Sequence, residues 1–191
     1  IESYLNGVAE LPRAVYVTSP DYLGNTLDIG RIAEVCHRFG VMLLVDNAHG
    51  AYLHFLPVSR HPIALGADLC ADSAHKTLPV LTGGAYLHLS AAMDLEIGDM
   101  AKNSLALFGS TSPSYLILES LDSLNEYLTA YPEKLQNLIS RLDALKARLC
   151  EQGYSLYGNE KLKLTIQAKA YGYTGAQLAE LLRADKIEPE F

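Results

Sequence analysis

The run Val41-Met42-Leu43-Leu44-Val45 is apolar without interruption and stops abruptly at Asp46. So short and uniformly apolar a run reads as a strand buried on both faces, the setting of a central strand in a parallel sheet. Ahead of it, Ile29, Ile32, Ala33, Val35 and Cys36 recur at helical spacing, between Asp28 as the start signal and Gly40 as the stop. Residues 13–19 read as an earlier strand that opens into a turn from Pro20 to Asn25. Strand, helix and strand over about thirty residues make a βαβ unit, which is almost always right-handed and builds a parallel sheet. The chain is therefore expected to be α/β, with Asp46 delivered to the carboxyl edge of the sheet, where open sheets bind ligands.

A second polar cluster follows at the end of the next strand. Residues 67–72 (Ala-Asp-Leu-Cys-Ala-Asp) read as that strand and run into Ser73-Ala74-His75-Lys76-Thr77. An acid at one strand end and a lysine beside Ser and His at the next suggest a site for an anionic, nitrogen-containing aromatic cofactor. Between the two clusters, residues 51–57 are expected to form a loop over the site and residues 60–66 a short helical turn. After Gly83 and Gly84, residues 85–89 read as another strand and 94–107 as a helix. Ser112 suits an N-cap and Pro113 the first position of a leucine-rich helix that stops before Pro132. A second helix, 133–151, carries Leu135, Leu138, Ile139, Leu142, Leu145 and Leu149 on one face, a packing pattern. Beyond Gly153 the character changes: alternating segments at 154–157 and 162–167 read as strands with one wet face, and Thr174 to Gln177 as a capping box that opens a helix. The expected division is thus 1–152 for the first domain and 153–191 for the start of a small α+β domain.

Composition narrows the function classes. A net charge of −7 with no basic cluster argues against nucleic acid or an anionic membrane as partner. The apolar runs are strand-length, no signal-peptide pattern is visible, and Cys36, Cys70 and Cys150 are scattered without a Cys-x-x-Cys pair. That combination reads as a cytoplasmic protein with reduced thiols. His37, His54, His61 and His88 lack acidic or cysteine neighbours at ligand spacing, so they read as core or surface histidines and no metal is expected.

The pattern Asp46-Asn47-Ala48-His49-Gly50-Ala51 followed by Ser73-Ala74-His75-Lys76-Thr77 resembles the fold-type I pyridoxal-phosphate enzymes. Within these it most resembles the Orn/Lys/Arg decarboxylase family. Residues 17–24 (Val-Thr-Ser-Pro-Asp-Tyr-Leu-Gly), 66–68 (Gly-Ala-Asp) and 110–115 (Ser-Thr-Ser-Pro-Ser-Tyr) support the resemblance in the same order, over nearly the whole chain. It implies the fold of the aspartate aminotransferase superfamily of pyridoxal-phosphate transferases, here part of the large domain and the start of the small one. It also implies a homodimer with shared active sites and decarboxylation of lysine, ornithine or arginine. An aminotransferase or lyase of the same fold, and a non-catalytic homologue, are the alternatives. The family's large domain begins well before residue 1 and brings a phosphate loop and a ring-stacking side chain from there. An isolated piece of this extent is expected to bind the cofactor weakly and to turn over negligibly.

Residue roles follow from that resemblance. Lys76 would form the Schiff base with pyridoxal 5'-phosphate, where the plain alternative is an exposed surface lysine. Asp46 would keep the pyridine nitrogen protonated, because an adjacent carboxylate favours the cation; the alternative is a turn aspartate at a strand end. Ser73 and His75 would donate to the phosphate, against local turn bonding. His49 would sit near the ring and touch substrate, or else orient Asp46. Ala48 would pack on the ring face, where a larger side chain would collide. Thr111 would reach the neighbour's phosphate, or extend the N-cap of the following helix. Thr18, Ser19 and Tyr22 are pocket-lining candidates. The sequence departs from the family at Ser114, where inducible bacterial members more often carry His, and at Asn47, where Glu is commoner.

Overall fold

The structure, a computed structural model, describes residues 1–109 and 112–190. The chain divides into two compact units, Ile1–Tyr22 with Thr26–Asn137, and Leu23–Asn25 with the chain from Leu138 on.

In the first unit a short helix α1 (Glu2–Gly7) leads to β1 (Ala14–Thr18), α2 (Ile29–Arg38) and β2 (Met42–Asp46). Asp28 caps α2 by accepting from the Arg31 amide at 3.2 Å, so one of the orphan donors of the first turn is satisfied by side chain. Two 3-10 turns, Ala51–Phe55 and Pro62–Leu65, lead to β3 (Leu69–Asp72), the one-turn α3 (Ala74–Thr77) and β4 (Tyr86–Leu89). The four strands lie in the order β1-β2-β3-β4, the first three parallel and β4 antiparallel. That is the mainly parallel α/β sheet the βαβ pattern predicts. Helices α4 (Leu95–Phe108) and α5 (Tyr115–Leu128) follow, and α6 (Tyr131–Glu151) runs from this unit into the second.

Register decides which side chain meets which face. Val17 pairs with Val45, Val45 with Cys70, and Cys70 with His88, so these four share one face of the sheet. On that face Leu43, Val45 and Cys70 pack with Ile29, Ala33 and Cys36 of α2 into the core. Full burial of each large aliphatic here contributes about 1.5–3 kcal/mol. Thr18, Asp46 and Ala71 are paired on the opposite face, with Tyr16 two residues before Thr18, and this side is open: Tyr16 is 66% exposed.

Three local expectations are corrected. Residues 51–55 form a 3-10 helix, not a loop, because Ala51, Tyr52 and Leu53 turn inward and are buried. Helix α5 begins at Tyr115 with Ser114 as its N-cap, two residues later than Ser112 and Pro113 suggest, and Ser114 makes no side-chain cap bond; nothing in the structure explains the shift. Helix α5 does stop before Pro132, at Leu128, but α6 starts at Tyr131 and not at 133, so Pro132 lies in its first turn. Proline is tolerated there because an amide in the first helical turn has no intrahelical acceptor anyway.

In the second unit β5 (Leu156–Tyr157) pairs antiparallel with β6 (Thr165–Ile166), followed by a 3-10 turn and α7 (Gly175–Ala184). The capping box at Thr174 and Gln177 is present in both directions. Lys146 of α6 donates to the carbonyls of Glu160 and Lys161, tying down the turn between the strands. No helix among the described residues is long and apolar enough to cross a membrane.

Candidate functional site

Both polar clusters stand at the carboxyl ends of β2 and β3, as the sequence predicts, but alternation along the strands splits them between the two faces. On the open face, Asp46 accepts from the Ala48 amide at 3.0 Å through one oxygen and from the Tyr16 hydroxyl at 3.2 Å through the other. Partial desolvation, and secondarily the Asp46 carboxylate, push the Tyr16 hydroxyl pKa up, so Tyr16 stays a donor. The turn-aspartate role and the role of an available carboxylate are thus compatible at this residue.

Lys76 is exposed on α3, held there by its amide bonding back to the Ser73 carbonyl at 3.0 Å. Its Nζ lies 3.3 Å from Nε2 of His49, twenty-seven residues earlier. The His49 ring in turn meets the Tyr22 ring edge-on, with centroids 5.3 Å apart. His49 therefore stands against Lys76 and Tyr22. Half-buried Ala48 lies between Asp46 and His49 in the same turn. Ser73 is the N-cap of α3 without a side-chain cap bond, and Nδ1 of His75 is 3.0 Å from the Gly84 carbonyl. Ser19 is 4% exposed and its hydroxyl accepts from the Leu27 amide, so it supports the turn after β1; Thr18 is exposed beside Asp46. Thr111 lies outside the described residues.

On the covered face the structure assembles a group that the sequence reading missed. Asp72, 4% exposed, receives Nε2 of His61 at 3.0 Å and Nε2 of His88 at 3.1 Å on one oxygen, and Nδ2 of Asn47 at 2.7 Å on the other. The expectation that these histidines lack acidic partners is corrected: His61 and His88 share Asp72, eleven and sixteen residues away, and His37 pairs with Asp68 at 2.9 Å. Such separations match no local motif; only the pairing of β3 with β4 brings the rings together. Burial by itself would raise the Asp72 pKa, but bonds from His61 and His88, the charge of His61 and the Asn47 amide outweigh it and hold the carboxyl well below its ordinary value. Burial first, then the Asp72 carboxylate, keeps the neighbouring Cys70 thiol protonated.

Asn47 also accounts for Gly50. A Cβ on Gly50 would stand 2.0 Å from Asn47 Oδ1 and 2.7 Å from Leu53 Cδ1, so only glycine fits. Asn47 Oδ1 is buried and accepts no hydrogen bond, while its amide faces Asp72. That orientation is the required one, since the reversed amide would set oxygen against carboxylate. A glutamate at position 47 would do the same, which gives the departure from the family a physical partner in Asp72.

Comparison with known proteins places this geometry. The family profile described as Orn/Lys/Arg decarboxylase, major domain, matches residues 5–157. An uncharacterized protein, YaaO, of Bacillus subtilis is 35% identical over 93% of this chain and 39% of its own length. The arginine decarboxylase of the same organism is 31% identical over 96% of this chain and 40% of its own length. A cystathionine beta-lyase of Lactococcus lactis is 29% identical over 71% of this chain and 35% of its own length. The chain thus spans about two-fifths of the length of these two Bacillus subtilis relatives. Among solved structures, an apo cysteine desulfurase from Thermococcus onnurineus superposes with a TM-score of 0.72 at 17% identity, over 98% of this chain and 50% of that one. This likeness shows the fold, that of the fold-type I pyridoxal-phosphate enzymes. With the profile covering most of its length, the chain belongs to the Orn/Lys/Arg decarboxylase family and matches its major domain.

Proposed function

We propose that the protein is a pyridoxal-phosphate-dependent decarboxylase of a basic amino acid (arginine, lysine or ornithine) and that Lys76 is the residue that carries the cofactor. The observation that carries this reading is the exposed Lys76 amine 3.3 Å from His49, at the same sheet edge as the Asp46 carboxylate. The side chains present suit that cofactor. Lys76 offers a primary amine, Asp46 an anion with room for a further donor, Ala48 a small face, and Ser73 and His75 polar atoms on the turn that bears the lysine.

When bound, the cofactor supplies an electron sink for the pair left at the substrate's α-carbon as the carboxylate departs as carbon dioxide. Asp46 would hold the proton on the ring nitrogen, because an adjacent carboxylate favours the cation. Lys76 would tether the cofactor and later deliver a proton to the α-carbon, with His49 in place to accept from its ammonium. His75 would use Nε2 toward the phosphate. Nδ1 already faces the Gly84 carbonyl, so Nε2 is the ring nitrogen available to turn toward that group. Thr111 would reach the partner's phosphate in a homodimer. In support of such an interface, Leu107, Phe108, Tyr115 and Leu116 are exposed on α4 and α5, Phe108 at 87%. We read 1–152 as large domain with its connecting helices and 153–191 as the start of the small domain, which the end of the matched profile at residue 157 supports. Three free cysteines fit a cytoplasmic location.

The test is incubation of the full-length protein with pyridoxal phosphate, borohydride reduction and peptide mapping, followed by product analysis on basic amino acids. A single adduct at Lys76, with carbon dioxide and the matching amine released, is the expected result. Full-length protein that takes no label at Lys76 would overturn the reading. A second reading, a lyase of the same fold, has the cystathionine beta-lyase likeness in its favour; label at Lys76 with a keto acid and ammonia formed in place of carbon dioxide and an amine would select it.

A further inference from the structure

The group on the covered face has a geometry that the proposed reaction does not use. The ligand-type atoms of His61, Asp72 and His88 all lie within 4.8 Å of one another. The two imidazoles stand nearly perpendicular, at 80° with centroids 5.0 Å apart, and both direct Nε2 to the same carboxylate oxygen. Two nitrogens and one oxygen converging from separate elements form a three-donor set that leaves a fourth position for water, an arrangement suited to a borderline divalent ion. Asn47 holds the far oxygen of Asp72 and so turns the near one toward the rings, the kind of support that ligating carboxylates receive. The side chains of His61 and Asp72 are almost wholly enclosed, whereas that of His88 is 38% exposed. All three line a cavity of about 720 Å³ whose walls include Phe55, Ile63 and Tyr86, which gives an ion a way in.

We propose that His61, Asp72 and His88 form a binding site for one divalent transition-metal ion of the Zn²⁺ class, with water from the cavity completing the coordination. The competing arrangement is a metal-free cluster in which both imidazoles donate Nε2–H to Asp72. Binding an ion through Nε2 of His61 moves its ring proton to Nδ1 and gives up the bond from the Ile63 amide, which at 3.3 Å is long and weak. Each donor comes from a different segment: the turn before Pro62, the end of β3, and β4. The ion would therefore fix the strand end that continues directly into Ser73 and Lys76. The proposal does not depend on the cofactor reading, because the group sits on the opposite face of the sheet and its test needs no catalysis.

The test uses tag-free, chelator-stripped protein. After dialysis against Zn²⁺, elemental analysis is expected to return one ion per chain, and Co²⁺ to give the visible bands of a low-coordinate nitrogen–oxygen site. Asn47→Ala removes only the group that orients the carboxylate and is expected to weaken Zn²⁺ roughly 10- to 100-fold, with His88→Ala weakening it further. His37→Ala, whose ring pairs with Asp68 elsewhere, is expected to leave affinity unchanged. Wild-type protein that retains no stoichiometric Zn²⁺ and shows no Co²⁺ bands overturns the proposal, as does binding that survives His88→Ala. His88 is partly exposed, so circular dichroism is expected to show that variant folded; should it not be, the wild-type Co²⁺ spectrum alone decides.

Discussion

Asp46 and Asn47 are neighbours in sequence, yet strand alternation sends them to opposite faces of the sheet and into opposite regimes. On Asp46's side the groups are exposed or half-buried and hold one another loosely: Tyr16 on Asp46, Lys76 by His49, His49 by Tyr22. On Asn47's side a single carboxylate collects three donors in near-complete burial. The open face is built from groups that water can reach, the setting that the proposed cofactor site requires. On the closed face the buried carboxylate is fully engaged, as a low-dielectric interior demands, and Asn47 Oδ1 is left without a donor. The same two strands thus carry an exposed polar face and a buried polar one.

The comparison breaks most sharply with Lys76→Ala, which under the proposed function is expected to lower decarboxylation by the full-length protein about a thousandfold or more while moving stability by less than about 0.5 kcal/mol; steady-state assay and urea melts on that protein check both. Asp46→Asn should follow it in direction. The converse is Asp72→Ala, which strands His61, His88 and Asn47 in the interior and is expected to cost about 3–5 kcal/mol of unfolding free energy. A loss as small as that of Lys76→Ala would remove the contrast between the faces.

Gly50→Ala tests the seam between them. Its Cβ would press on Asn47 and Leu53, and about 1–3 kcal/mol of overpacking cost is expected in denaturant melts. The smallest effect concerns Tyr131, whose buried hydroxyl donates to the Thr77 carbonyl at 2.8 Å and so steadies the turn just after Lys76. Burial, with Tyr127 beside it, pushes its pKa up to about 12. The unfolded phenol ionises near 10, so the folded state holds the proton more tightly. Stability from this group is intact below about pH 10 and falls as pH rises toward about 12. Tyr131→Phe is expected to cost about 1 kcal/mol at neutral pH, from the lost bond, and to show a shallower alkaline decline in pH-dependent melts.

The strands, α2, the antiparallel β4 and the capping box at Thr174 were legible because each is written in a few consecutive residues by period or by end signals. So were Asp46 and Lys76, which stand where two apolar runs stop. The turn at 51–55 was not, since its helical form goes with the burial of Ala51, Tyr52 and Leu53, which only the folded chain provides. His49 was placed at the right sheet edge, but its neighbours Lys76 and Tyr22, twenty-seven residues on in the chain and twenty-seven back, were not.

Sequence by itself determined the α/β order, the family and the strand ends that bear the acid and the lysine, because local hydrogen bonding and side-chain alternation are encoded within a few residues. Only the tertiary structure decided that His61 and His88 meet on Asp72, and that Asn47 completes the set. Those contacts depend on the register of β2, β3 and β4, and a shift of one residue would have sent every one of these side chains to the other face.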